Sequence, residues 1–169
     1  MKDGHMNHQQ NDPLRPTQDK RGFFMLPQTP MESGYYTYGL MDNKPDEGGY
    51  QYAHPVMMQA ILRVGLAWQT AERRRIGIGN ISRADGFDDE DHGSHLNGLQ
   101  VDVRPIRKDG KEIPVTWTDP QYDREATAKL IALFRTFAPV RLVLFNDLSI
   151  PFVKAAKRHD DHFHVALIG

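Results

Sequence analysis

Residues 159–167 read His-Asp-Asp-His-Phe-His-Val-Ala-Leu, and the alternation in their second half decides the architecture. With a period of two, a strand running from His162 to Ile168 places His162 and His164 on one face and Phe163, Val165 and Leu167 on the other. Such a strand packs one face on a core and keeps two imidazoles on the opposite face, where apolar packing gives them no role. Residues 99–104, Leu-Gln-Val-Asp-Val-Arg, repeat the pattern, with Leu99, Val101 and Val103 on one side and Gln100, Asp102 and Arg104 on the other. A sheet that sets these two strands side by side brings Asp102 next to His164.

Working outward, Pro55 suits the first turn of a helix, and Met57, Ile61, Leu62, Leu66 and Trp68 follow at helical spacing as far as Glu72, where Arg73–Arg75 close the helix. Residues 75–79 read as a short strand and 80–92 as an acidic loop containing glycine. Residues 113–117 read as a further strand, reached through the turn Lys108-Asp109-Gly110. Asp119 is positioned to cap a second helix from Pro120 to about Phe137, with Ala126, Leu130, Leu133, Phe134 and Phe137 as its buried stripe. Residues 141–145 make a strand and 151–158 a short helix. The expected fold class is α+β, a small, largely antiparallel sheet carrying the site, two main helices and an irregular N-terminal arm. The arm, residues 1–53, is rich in Gly, Pro, Asn, Gln and Tyr without periodicity, but its aromatics predict that it packs on the domain formed by residues 54–169. Tyr35, Tyr36 and Tyr38 are candidates to line part of a groove.

The chain has 169 residues, with 21 Lys and Arg against 22 Asp and Glu. This balance gives no electrostatic reason to bind nucleic acid or anionic lipid. No apolar stretch has the length of a membrane span, and the first residues, MKDGHMNHQQ, lack the apolar centre of a signal peptide. The absence of cysteine excludes disulfides, thiolate nucleophiles and cysteine-held metals. Any metal must therefore sit on His, Asp, Glu or backbone oxygen.

Asp102 interrupts a hydrophobic run, where a carboxylate is costly unless paired or bound to a cation. Together with His95 from the loop entering its strand and His164 from the last strand, it forms a His₂Asp set suited to Zn²⁺ with a fourth position open to water. Two His and one carboxylate also suit iron, and the small domain with its tight His-x-His strand favours zinc. His162, on the same face, has the chemistry of a general base or an oxyanion donor. Asp161 is placed to orient an imidazole, Asp160 reads as surface, and His92 and His159 are additional site candidates.

The segments SHLNGLQVDVR, residues 94–104, and HDDHFHVAL, residues 159–167, resemble the two signatures of the penicillin-insensitive murein endopeptidases. These belong to a wider group of zinc peptidases that includes D-Ala-D-Ala carboxypeptidases and lysostaphin-like enzymes. The group's pattern is a His, an Asp seven residues on, and a later His-x-His. The murein endopeptidase branch adds a His three residues before each part, and here His92 and His159 occupy those positions. The likeness spans residues 54–169, is specific in its histidines, and departs at Gln100, where the family tends to have an acid.

The resemblance implies zinc on His95, Asp102 and His164, a catalytic His162, and His92 and His159 lining the site. It also implies cleavage of the peptidoglycan cross-link between D-alanine and meso-diaminopimelate by attack of zinc-bound water on the amide. A D,D- or L,D-carboxypeptidase on stem peptides is the nearest alternative, with Arg83, Arg104 and Arg107 as candidate carboxylate clamps, and a non-catalytic wall-binding module is the other. Action on the cell wall or in the periplasm without an export signal implies delivery by a secretion machine or during phage lysis. An injected toxin would be accompanied by an inhibitory or immunity protein.

Overall fold

The computed structural model describes residues 17–28, 32–41, 44–45, 47–87 and 94–169. In chain order the elements are β1 (Phe24–Met25), β2 (Tyr35–Thr37), β3 (Leu40–Met41), β4 (Lys44–Pro45), β5 (Tyr52–Ala53), α1 (Pro55–Ala71), β6 (Ile76–Ile78), β7 (Gln100–Val103), α2 (Arg124–Phe137), β8 (Val140–Leu144), β9 (Val153–Lys154) and β10 (Phe163–Leu167). Six strands form the main sheet in the order β2-β6-β7-β10-β8-β9, antiparallel through its centre and parallel at both edges. The pairs β1–β5 and β3–β4 make small ladders beside it. The fold is α+β, with α1 and α2 packed on each other and on one face of the sheet.

That face carries Val101, Val103, Val143, Phe163 and Val165, all almost fully buried, and α2 presents Leu130 and Phe134 to it. The Phe134 and Phe163 rings meet edge to face with centroids 6.3 Å apart, and each buried apolar side chain contributes roughly 1.5–3 kcal/mol. The opposite face of β7 and β10 is thereby left to Gln100, Asp102, Arg104 and His164.

Helix α1 starts where Pro55 predicts, with the His54 ring accepting the Val56 N–H at 3.2 Å. It buries Met57, Ile61 and Trp68, but Leu66 faces solvent. Helix α2 begins at Arg124, later than expected. Asp119 accepts the Gln121 N–H to close a turn, and Asp123 is the true cap, accepting the Ala126 N–H at 3.0 Å.

Residues 113–117 form no strand. Pro114 offers no N–H to a ladder, and the carbonyls of Glu112 and Pro114 are taken by Arg104 and Arg107. The expected helix at 151–158 is instead a turn followed by β9, whose Lys154 carbonyl accepts the Phe145 N–H at 2.9 Å. The arm is built in more deeply than its composition suggests. β2 is an edge strand of the main sheet, and Leu26, Tyr35 and Tyr50 are buried in the core.

Arg74 joins the two helices, binding Glu72 at the end of α1 at 2.6 Å and the cap Asp123 of α2 at 2.7 Å. Hydrogen bonds from Arg74 outweigh partial burial and pull the Glu72 carboxyl from 4.5 to about 2. A depressed folded-state pKa contributes stability above the unfolded value that is lost as pH falls from 4.5 toward about 2. Glu72→Gln should therefore cost about 1 kcal/mol at pH 7 and progressively less below pH 4.5, as read by urea unfolding of both proteins across that range.

Candidate metal centre

The site is assembled by the ladder between β7 and β10, in which His164 lies directly opposite Asp102. The two side chains share a face, and His164 Nδ1 approaches Asp102 Oδ1 to 3.1 Å. His95 reaches the same oxygen from the preceding loop, with Nε2 at 3.3 Å. That loop turns at Gly98, whose φ of +70° and tight contact with the His54 backbone exclude a side chain. Arg21 of the arm braces it by donating to the Leu96 carbonyl at 2.7 Å.

Protonation can be assigned at His95. Its Nδ1 lies 2.9 Å from the Ile81 carbonyl, which only accepts, so Nδ1 carries a hydrogen and Nε2 is the nitrogen that faces the carboxylate. At 3.3 Å from a carboxylate oxygen, Nε2 either carries a second hydrogen, which makes His95 a cation, or shares a bound cation with that oxygen. The Asp102 side chain is only 15% exposed, and His95 and His164 are buried. Burial pushes the Asp102 carboxyl up, yet the His95 charge and the hydrogen bonds from both imidazoles hold it far below the usual range. Burial likewise disfavours the charged form of His95, and Asp102 reverses this and raises its pKa.

The donor set fits a metal on spacing as well as charge. Two ligands about 2.1 Å from a tetrahedral ion stand about 3.4 Å apart. The separations of 3.3 and 3.1 Å match this, and all three donor atoms lie within 4.8 Å of one another. Nitrogen and carboxylate ligands suit zinc and also other divalent first-row ions.

His162 stands at the edge of this group, its Nε2 3.9 Å from Asp102 Oδ1 and its Nδ1 2.8 Å from Asp161 Oδ1. Partial burial disfavours its charged form, but Asp161 and then Asp102 outweigh this and raise its pKa above 6.5. The His159 ring lies 4.8 Å from that of His162 and 5.9 Å from that of His164, with Nδ1 on the Lys157 carbonyl at 2.7 Å. Burial lowers its pKa. His92 lies outside the described residues.

Asp160 is more than surface decoration. Its backbone carbonyl accepts the Trp117 N–H at 2.9 Å, and its carboxylate takes the Trp117 indole and the Asn146 amide. This pins the turn that delivers His159 and His162. No local pattern announces the role, because both partners are distant in sequence. The chain matches no family model and no curated protein.

Zinc titration of the full chain should give one tight site. Asp102→Ala and His95→Ala should weaken it by more than the roughly 10–100-fold typical of losing an outer-shell partner, and His162→Ala by less than about 10-fold. Loss of the metal in His162→Ala would make His162 a ligand.

Proposed function

We propose that this chain is a zinc metallopeptidase that hydrolyses peptidoglycan cross-links between D-alanine and meso-diaminopimelate. The observation that carries the reading is the pairing of Asp102 with His164 and His95 around one carboxylate oxygen, with His162, tethered by Asp161, on the same open face. The chemistry follows from the donor set. The substrate follows from the resemblance of the two histidine motifs to murein endopeptidases.

Zinc, when bound, supplies Lewis acidity and lowers the pKa of water into the neutral range. His95, Asp102 and His164 would hold it, and the Ile81 carbonyl fixes the His95 tautomer that leaves Nε2 free for it. His162 accepts and returns a proton at Nε2, because Nδ1 is engaged by Asp161 and the ring cannot turn without breaking that bond. Asp161 is thus a positioning residue. His159 presents its Nε2 beside His162, since Nδ1 is occupied by the Lys157 carbonyl, and lines the substrate side of the site. Action is on the cell wall or in the periplasm, where the substrate lies. Among the described residues no helix is long and apolar enough to cross a membrane.

Digestion of cross-linked, meso-diaminopimelate-type peptidoglycan should convert dimeric muropeptides to monomers, as read by mass spectrometry. Activity should be abolished by chelation and restored by zinc. His162→Ala should lower kcat about 10²–10⁴-fold while the protein stays metal-loaded. Release of free D-alanine without loss of dimers would assign a carboxypeptidase, and no product from metal-loaded protein would overturn the peptidase reading.

A further inference from the structure

Two residues beyond Asp102 on the same face of β7, about 7 Å along the strand, stands Arg104. Its backbone is fixed by the Gly77 carbonyl at 3.0 Å. Its guanidinium lies 4.0 Å from the Tyr38 ring centroid and 5.9 Å from that of Tyr36. Both tyrosines come from the arm and lie across glycines of the neighbouring chain segment. A Cβ at Gly79 would stand 2.5 Å from Tyr38 Cζ, and one at Gly77 would stand 2.7 Å from Tyr36 Oη. Two side-chain-free positions, two aromatic platforms and one guanidinium therefore fit together as a unit.

The charges around Arg104 are almost all spoken for. Asp102 is shared among the imidazoles, Asp161 binds His162, and Glu112 is held by Arg75 through both carboxylate oxygens at 2.7 and 2.9 Å. Glu112 gives Arg104 only its backbone carbonyl, at 3.2 Å. Arg104 borders a cleft of about 420 Å³ lined also by Tyr36, Tyr38, Glu47 and Glu112, and Glu47 makes no ion pair with it, so among the described residues this guanidinium has no carboxylate partner. Beyond the N–H that Nη1 gives to the Glu112 carbonyl, a guanidinium lying over an aromatic ring keeps its remaining N–H donors for a two-point acceptor such as a carboxylate.

We propose that Arg104 binds a carboxylate of the substrate beside the cleaved amide, with Tyr36 and Tyr38 as its platform. The inference rests on the peptidase reading above and assigns to Arg104 the recognition of the free carboxylate that diaminopimelate carries next to the scissile bond.

The test uses the zinc-loaded full chain and two cross-linked muropeptide dimers that differ only in whether the diaminopimelate carboxylate at the cleaved bond is free or amidated. Wild type should prefer the free form by about 10–100-fold in kcat/KM. Arg104→Met, which keeps the stem over Tyr38, should lose that preference mainly through KM. Arg104→Lys, which keeps the charge without the fork, should recover only part of it. Calorimetric binding of the free-carboxylate monomer product, with no turnover involved, should weaken in Arg104→Met by a similar factor at unchanged melting temperature. Equal cleavage of both dimers by wild type, or an unchanged ratio in Arg104→Met, would overturn the inference and leave the peptidase standing. If wild type cuts neither dimer, the peptidase reading fails, and the binding measurement alone then decides whether Arg104 takes a carboxylate.

Discussion

Everything at the site depends on one backbone register, the antiparallel pairing of β7 with β10 that sets His164 opposite Asp102. Side chains alternate with period two, so a slip of one residue would turn Asp102 and His164 into the core and Val101, Val103, Phe163 and Val165 into solvent. The hydrophobic cost of such a slip is what holds Asp102 and His164 in place. The core therefore does two jobs through the same strands. Its apolar face selects the register, and the register delivers the carboxylate and the imidazole to a shared point on the far face without any long flexible side chain having to search for it.

That arrangement creates an electrostatic demand. A largely enclosed carboxylate faces two buried imidazoles whose nitrogens point at one oxygen, and the Ile81 carbonyl, by taking the Nδ1 hydrogen of His95, turns its Nε2 toward that negative charge. Protons can meet the demand in the free protein, and the pull of Asp102 on the His95 pKa is its signature. A divalent cation meets it with a single charge centre. The spacing of the donor atoms fits that solution, and the outer bonds, Ile81 to His95 and Asp161 to His162, take the Nδ1 atoms and leave each Nε2 facing Asp102.

The parts legible in the sequence were those written in local alternation. Two strands with polar residues on one face, a Pro55 helix start and a cluster of histidines announce themselves within a few residues of chain. The parts that were not legible depend on distant partners. Asp119 and Asp123 are both plausible caps by residue type, and it is Arg74, from the end of the other helix, that helps settle the choice on Asp123. Residues 113–117 have strand composition, yet side chains of Arg104 and Arg107 consume the carbonyls that a ladder would need. Asp160 looked dispensable because Trp117 and Asn146, which it ties to the histidine turn, are far away in sequence. β2 is three residues long, too short to leave a period, and becomes a strand because β6 offers it a free edge.

The arm shows how an apparently peripheral segment enters the chemistry. With Gly77 in β6 and Gly79 just after it, the sheet surface next to Asp102 would have a gap. Tyr36 and Tyr38 fill that gap, and the Arg104 guanidinium lies 4.0 Å from the Tyr38 ring centroid and 5.9 Å from that of Tyr36. Arg21, further back in the arm, ties Ser82, Arg83 and Leu96 together and so fixes the loop that carries His95. The sheet alone supplies Asp102 and His164, whereas the third donor and the neighbouring cation are both held in position by residues before α1. Glycine in and just after β6 and aromatic side chains on β2 and just beyond it are thus complementary halves of one surface, and replacing either half would move Arg104 relative to the candidate metal centre even with His95, Asp102 and His164 intact.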